Sequence, residues 1–263
     1  MFYENDFCTI KNKGDKYLFE RKKKRREKNV LGDIVEELIN KYSEGEMLFD
    51  YVDTLETFIN NLDSEPGKSG ASYDMLQDFI NCIVSQHYML GDYKKTFYCA
   101  NFKNILVFNN EFYIFMGNQT LKENHGAQGV GIDDIGLGIV DFNLRNKCLI
   151  TKQMLSILKL NEGYINPPEI NRLIAEGDAE GDAEGGAEGD SVGDDFVSKH
   201  LFNYNLGIIL FSFLFGKDLF KSDTNVSYET LIKNMQSINY TKAFYLIQRC
   251  LDDDPDMRAL LYV

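Results

Sequence analysis

The stretch "GIVDFNLRN" (Gly138–Asn146) carries the question that decides the fold. Three apolar residues run into an acid, an aromatic side chain and an Asn. Such a run is either a plain strand end or a strand that delivers Asp141 to a metal ion. Local periodicity does not separate the two readings. The segments on either side, taken in order along the chain, have to separate them.

Composition sets the outer bounds. The chain has 263 residues, 44% of them hydrophobic and 13% aromatic, enough to bury one large core or two small ones. A net charge of -13 and a pI near 4.7 argue against general nucleic-acid binding. Cys8, Cys82, Cys99, Cys148 and Cys250 form no CxxC pair. They read as reduced thiols of an intracellular protein, cytoplasmic or nuclear, and not as a disulfide framework or a zinc site. The start "MFYENDFCTIKNKGDKYL" has no basic stretch followed by an apolar run, so no secretory signal is expected. The longest apolar run, "LGIILFSFLF" (Leu206–Phe215), is too short to span a bilayer and reads as a buried core helix.

Upstream of the opening stretch, "RKKKRREK" (Arg21–Lys28) reads as a solvated basic segment. Nuclear targeting and binding to an acidic surface are its other readings. "NVLGDIVEELI" predicts a strand over Val30–Leu38. In "GEMLFDYVDTLETFINNL", Leu48, Val52, Leu55, Phe58, Ile59 and Leu62 recur at helical spacing. "SEPGKSG" (Ser64–Gly70) breaks the chain. "SYDMLQDFINCIVSQHYML" predicts a second amphipathic helix, with Met75, Leu76, Phe79, Ile80, Ile83 and Val84 on one side. "NILVFNNEFYIFMG" predicts a hairpin around Asn109 and Asn110. The polar, Gly-rich residues 118–138 read as a loop. "AEGDAEGDAEGGAEGD" (Ala175–Asp190) is a short repeat with nothing larger than Ala among its apolar side chains. It cannot bury enough surface to offset its ordering entropy, so disorder is expected over 175–195. The ligand spacing of a calcium loop is absent from it. Helices are expected again at "HLFNYNLGIILFSFLF" and "YTKAFYLIQRCL".

In this order the chain resembles the C-terminal lobe of a eukaryotic protein kinase, from about Ile34 onward. "EGEMLFDYV" (Glu44–Val52) is similar to the hinge and first helix of that lobe, and "FYCANFKNIL" (Phe97–Leu106) to the catalytic loop H-R-D-L-K-P-E-N-I-L. "IVDFN" (Ile139–Asn143) falls where a strand and D-F-G belong. "GYINPPEI" (Gly163–Ile170) resembles G-Y-x-A-P-E, and Leu201–Phe220 resembles the long buried helix. "LIQRCLDDDPDMRALL" (Leu246–Leu261) resembles the closing L-x-x-D-P-x-x-R segment. The resemblance implies an α+β kinase-like fold with a mainly α-helical C-lobe over 39–263. Residues 118–138 and 175–195 would be inserts in it, and 1–38 a reduced N-lobe remnant. A competing placement puts D-F-G at "FMG" (Phe115–Gly117), with Met116 in the place of the metal acid. Asp141 is preferred because Ile139, Val140, Phe142 and Leu144 fit the pattern as well.

Phosphoryl transfer needs a phosphate grip, metal-holding side chains and a base for the substrate hydroxyl. The resemblance puts Cys99 where the catalytic Asp stands and Asn101 where the phosphate-steadying Lys stands. A thiol is neutral near pH 7 unless its pKa is lowered, so it replaces a carboxylate poorly. Asn104 and Asp141 match the magnesium-holding pair, and with it a Mg-ATP site; plain loop and strand-end residues are the other reading of both. Asn143 replaces the D-F-G glycine, a mild change, because Asn tolerates left-handed backbone angles. Phe202 stands where the buried helix carries an Asp that braces the catalytic loop. Glu169 and Arg258 match a buried structural ion pair. No G-x-G-x-x-G and no V-A-I-K-type Lys precedes the lobe. Roughly 30 residues stand there, too few for the usual five strands and a helix. The resemblance therefore implies a catalytically inactive pseudokinase that serves as a protein-binding or scaffold module. The alternatives are a weak Ser/Thr protein kinase or Mg-ATP binder, and a chain whose small lobe is encoded upstream.

Overall fold

A two-residue turn at Gly14 and Asp15 opens the architecture. Gly14 has φ +72°, which a side-chain-bearing residue resists. The turn joins β2 (Cys8–Lys13) to β3 (Lys16–Arg21), paired antiparallel from Lys13 opposite Lys16 to Cys8 opposite Arg21. With β1 (Tyr3–Glu4) and β4 (Leu48–Phe49) they form a four-stranded sheet in the order β1-β2-β3-β4. The computed structural model describes residues 2–5, 7–22, 30–42, 47–64, 72–100, 102–117, 138–151, 154–155, 158, 166–181, 195–215 and 228–260. They fall into two units, Met1–Ile139 with Phe213–Gly216, and Val140–Ser212 with Lys217–Val263.

In the first unit the strand expected over Val30–Leu38 is instead part of helix α1 (Val30–Tyr42). Val30, Leu31, Ile34, Val35, Leu38 and Ile39 are all buried. Their spacing of one, three and four follows a helix and not the alternation of a strand. Asp33 in the first turn and Lys41 in the last suit the helix dipole. The short N-terminal segment therefore holds more structure than its length suggests, with three strands and a helix before Tyr42.

The helix expected from Leu48 also starts later than its spacing implies. Leu48–Phe49 pairs with β3, and β5 (Val52–Thr54) pairs with β7 (Ile105–Phe108). Helix α2 (Leu55–Ser64) begins only after Thr54, whose hydroxyl accepts from Thr57 N–H at 3.2 Å. A distant residue sets this boundary. The Asn109 side-chain oxygen accepts from Asp50 and Tyr51 N–H at 2.9 and 3.1 Å, holding that segment extended.

Helix α3 (Tyr73–Asp92) is capped by the Ser72 hydroxyl, which accepts from Met75 N–H. Short β6 (Lys95–Phe97), a 3-10 turn (Phe102–Asn104), β7 and β8 (Phe112–Phe115) follow. The hairpin expected around Asn109 and Asn110 is present, and both residues take the left-handed backbone its turn requires, φ 51° and 61°. Aromatic rings fill this unit. Phe49 and Phe112 both pack on Phe108, with centroids at 4.9 Å, and Phe79 packs on Tyr113 and Phe213 at 5.2 and 5.5 Å.

In the second unit, β9 (Ile139–Asp141) leads to β10 (Lys147–Ile150), which pairs antiparallel with β11 (Asp195–Ser198). Helices α4 (Pro168–Gly181), α5 (Leu201–Phe215, of which Leu201–Ser212 belong to this unit), α6 (Tyr228–Asn234) and α7 (Lys242–Cys250) complete it. Helix α5 is buried on every side from Leu201 to Phe213, as a mainly apolar helix without a polar face must be, and its Asn203, Asn205 and Ser212 are buried with it. At Gly207 a Cβ would lie 2.7 Å from the Cys250 Cβ, so only glycine lets α5 meet the end of α7. Helix α4 continues past Ala175 to Gly181, so the first residues of the acidic repeat are helical and not disordered. Ala and Glu are good helix formers, and α4 extends into them from a buried start at Ile170 and Leu173. The rest of the repeat, and 118–137, lie outside the described residues. Among the described residues the fold is mixed α+β, with several helices and four small antiparallel sheets. Among the described residues no helix is long and apolar enough to cross a membrane.

Candidate functional site

The segment Phe97–Asn104 is built inward. Phe97, Tyr98 and Cys99 are wholly or almost wholly buried, at 1%, 0% and 0% exposure. Tyr98 and Cys99 N–H both donate to the Gly138 carbonyl, at 2.9 and 3.4 Å. Gly138 has φ +85°, and a Cβ there would stand 2.6 Å from the Cys99 carbonyl oxygen. A glycine is therefore required at the head of the opening stretch. It presses directly on the residue that the resemblance puts in the place of the catalytic Asp.

Asn104 closes the 3-10 turn and is buried at 6% exposure. Its carbonyl accepts from Met116 N–H at 2.7 Å. The Met116 carbonyl accepts from the Asn5 side-chain amide at 3.1 Å. Just before it, the Gln86 amide brackets Phe115, accepting from its N–H at 2.9 Å and donating to its carbonyl at 2.8 Å. The end of β8 is thus held by the β7 side of the sheet on one edge and by the Gln86 side chain on the other. Met116, the rival for the metal-acid position, is buried and offers a thioether, a poor ligand for a hard cation.

Asp141 ends β9 and is exposed. It lies in the second unit, whereas Asn104 lies in the first. Beside it, Phe142 bridges to Cys148, and Lys199 Nζ sits 4.9 Å from the Phe142 ring centroid. Burial pushes the Cys148 thiol up to about 12, against the pull of Lys199 and with a further push from Asp141. Asn143 does not take the left-handed backbone its place in the triplet suggests; Asn146 does, at φ 58°. The Asn143 side-chain oxygen instead accepts from Arg145 and Lys147 N–H, at 2.8 and 3.1 Å, and pins the turn. Among the described residues no three His, Cys, Asp or Glu side chains gather to hold a metal ion. As a magnesium ligand, Asp141 would supply one carboxylate, with phosphate oxygens and water completing the shell.

Glu169 and Arg258 are brought together. Arg258 Nη1 and Nη2 donate to Glu169 Oε1 and Oε2 at 2.6 and 2.9 Å, a fork-to-fork pair. Arg258 Nε donates to the Asp252 carbonyl at 2.7 Å, and the guanidinium lies 4.8 Å from the Tyr204 ring centroid. The Arg258 side chain has 0% exposure. Phe202, in the place of the bracing Asp, is buried at 1%. Asn101 lies outside the described residues.

Sequence reading passed over two features. Arg21, at the end of β3, donates to Asp33 of α1 at 2.7 Å and pairs with Glu36. The strand-to-helix pairing was hidden because α1 read as a strand. Gln86 was the other, a polar side chain on the buried face that also carries Phe79, Ile83 and Leu90. That interruption of an apolar stripe was its only signal. No protein-family model, curated protein or solved structure matches the chain.

Proposed function

We propose that the chain is a kinase-like module that has lost phosphoryl transfer and acts by binding protein. The order of elements supports the kinase-like reading: a long helix, a short strand, a buried turn ending in Asn104, a hairpin, and then a helix start tied to the C-terminal region through Glu169 and Arg258. The observation that carries the loss of chemistry is Cys99. A general base must come within hydrogen-bond reach of the hydroxyl it deprotonates. Cys99 is a thiol with no exposure, its backbone fastened against Gly138. Phe202, also buried, offers no acceptor to brace a catalytic loop.

The purified chain, incubated with Mg-ATP and a mixture of Ser- and Thr-containing peptides, is expected to transfer no phosphate. Its melting temperature is expected to be the same with and without Mg-ATP, because only a ligand bound to the folded state raises it. Phosphate incorporation above that of a Cys99→Ala variant would overturn the loss of transfer. A magnesium-dependent rise in melting temperature without transfer would make the chain a nucleotide-binding module instead.

A further inference from the structure

One face of the second unit carries two rigid turns of opposite charge side by side. The first is the turn after β9. Asn143 pins it from within, and the Asn146 carbonyl accepts from Lys199 N–H at 2.9 Å. At its tip Leu144 is 96% exposed, and Arg145 beside it makes no ion pair among the described residues. Lys147 and Lys199 add further cations. The second turn is Asp252–Met257. Arg258 holds it from beneath through the Asp252 and Asp253 carbonyls, and the Asp252 and Asp254 side chains cap N–H groups within it. It presents Asp253, Asp254 and Asp256 with Met257, which is 60% exposed. The two turns adjoin. Lys147 Nζ lies 3.9 Å from Asp256 Oδ1, and the His200 ring nitrogen bonds the Pro255 carbonyl at 3.0 Å.

We propose that this face is a self-association surface and that its occupant is a second copy of the chain. A face with a cationic half beside an anionic half is complementary to itself across a twofold axis. Each cationic turn then meets the acidic turn of the other copy, as an isologous contact requires. In a chain of net charge -13, most surfaces of two copies repel each other. This face sets Arg145, Lys147 and Lys199 beside Asp252, Asp253, Asp254 and Asp256, and places an exposed Leu and an exposed Met beside the paired charges. Both turns are already held in shape, so little ordering entropy opposes contact. The dimer is weak, because the net charge of each copy opposes it. Salt is a poor probe, because it screens both the local attraction and the long-range repulsion.

Charge exchange is the sharper probe. Arg145 and Asp253 are exposed and neither side chain makes a hydrogen bond or ion pair among the described residues, so Arg145→Glu and Asp253→Arg are expected to fold normally. Sedimentation equilibrium of the wild-type chain is expected to show a mass rising toward twice that of one chain as concentration approaches about 0.1 mM. Each single exchange sets like charges opposite one another twice in a homodimer, and is expected to weaken association about tenfold or more. Mixing the two variants sets the introduced glutamate of one copy against the introduced arginine of the other. The unaltered Arg145 and Asp253 then meet at the second contact, and a heterodimer is expected to be restored. Leu144→Ser is expected to weaken association by about tenfold through lost apolar burial. Three results would each overturn the proposal: a wild-type chain that stays at the mass of one copy, single exchanges that leave association unchanged, or a mixture that fails to associate.

Discussion

Arg258 shows how much one side chain can be asked to do. Its guanidinium is removed from water, a loss that is tolerable only while its donors are occupied. Glu169 takes two of them, the Asp252 and Asp253 carbonyls take others, and the Tyr204 ring covers one face. Glu169→Ala leaves a buried cation without its partner, and is expected to lower unfolding stability by about 3–5 kcal/mol in urea titration. A loss below about 1 kcal/mol would mean the pair behaves as a surface salt bridge. Arg258→Lys is expected to be nearly as damaging, because an ammonium cannot reproduce the fork. Gly138 is a second residue with no substitute. Its missing Cβ would meet a backbone oxygen, which cannot rotate away, and its φ is left-handed. Gly138→Ala is expected to cost about 1–3 kcal/mol, read as a fall in melting temperature.

At the level of elements, β8 pairs with β7 along one edge, and at Phe115 its other edge is held by Gln86 of helix α3. Gln86→Leu matches the apolar face around it but strands the Phe115 N–H and carbonyl in a dry site. It is expected to destabilise by about 1–3 kcal/mol and to speed hydrogen exchange at the Phe115 amide. Unchanged exchange at that amide would show that β8 is held by other contacts. Such fasteners explain what could be read in the sequence and what could not. Helices α3, α5 and α7 and the β7–β8 hairpin were legible, because their periodicities and turn residues are local. The start of α2 was not, because Asn109 holds Asp50 and Tyr51 extended from far along the chain. Helix α1 was legible in principle; its spacing was helical, but a dense apolar run read as a strand. Of the candidate site, the Glu169–Arg258 pair was visible only through a resemblance between motifs. The burial of Cys99 and the exposure of Asp141 depend on packing that no motif encodes.

For the whole molecule, the buried acids that stay protonated set how stability responds to pH. Burial pushes the Cys8 thiol of the first unit up to about 12, against the pull of Lys22. In the second unit burial does the same to Cys148, Tyr204 and Cys250, although Lys199 lowers the first and Arg258 the other two. Each group has a folded pKa above its unfolded value, near 9.0 for the thiols and 10.0 for the tyrosine. The folded state therefore binds more protons than the unfolded one across that interval, and stability must fall as pH rises. The contribution is fully present below about pH 9 and is lost as pH climbs through the folded values near 12. Each group that titrates only on unfolding adds up to about 1.4 kcal/mol per pH unit to that fall. Denaturant midpoints are expected to be unaffected by these groups between neutrality and about pH 9, and to drop increasingly above it. Midpoints that hold or increase toward pH 11 would show that these groups meet water in the folded chain, against the burial on which both cores rest.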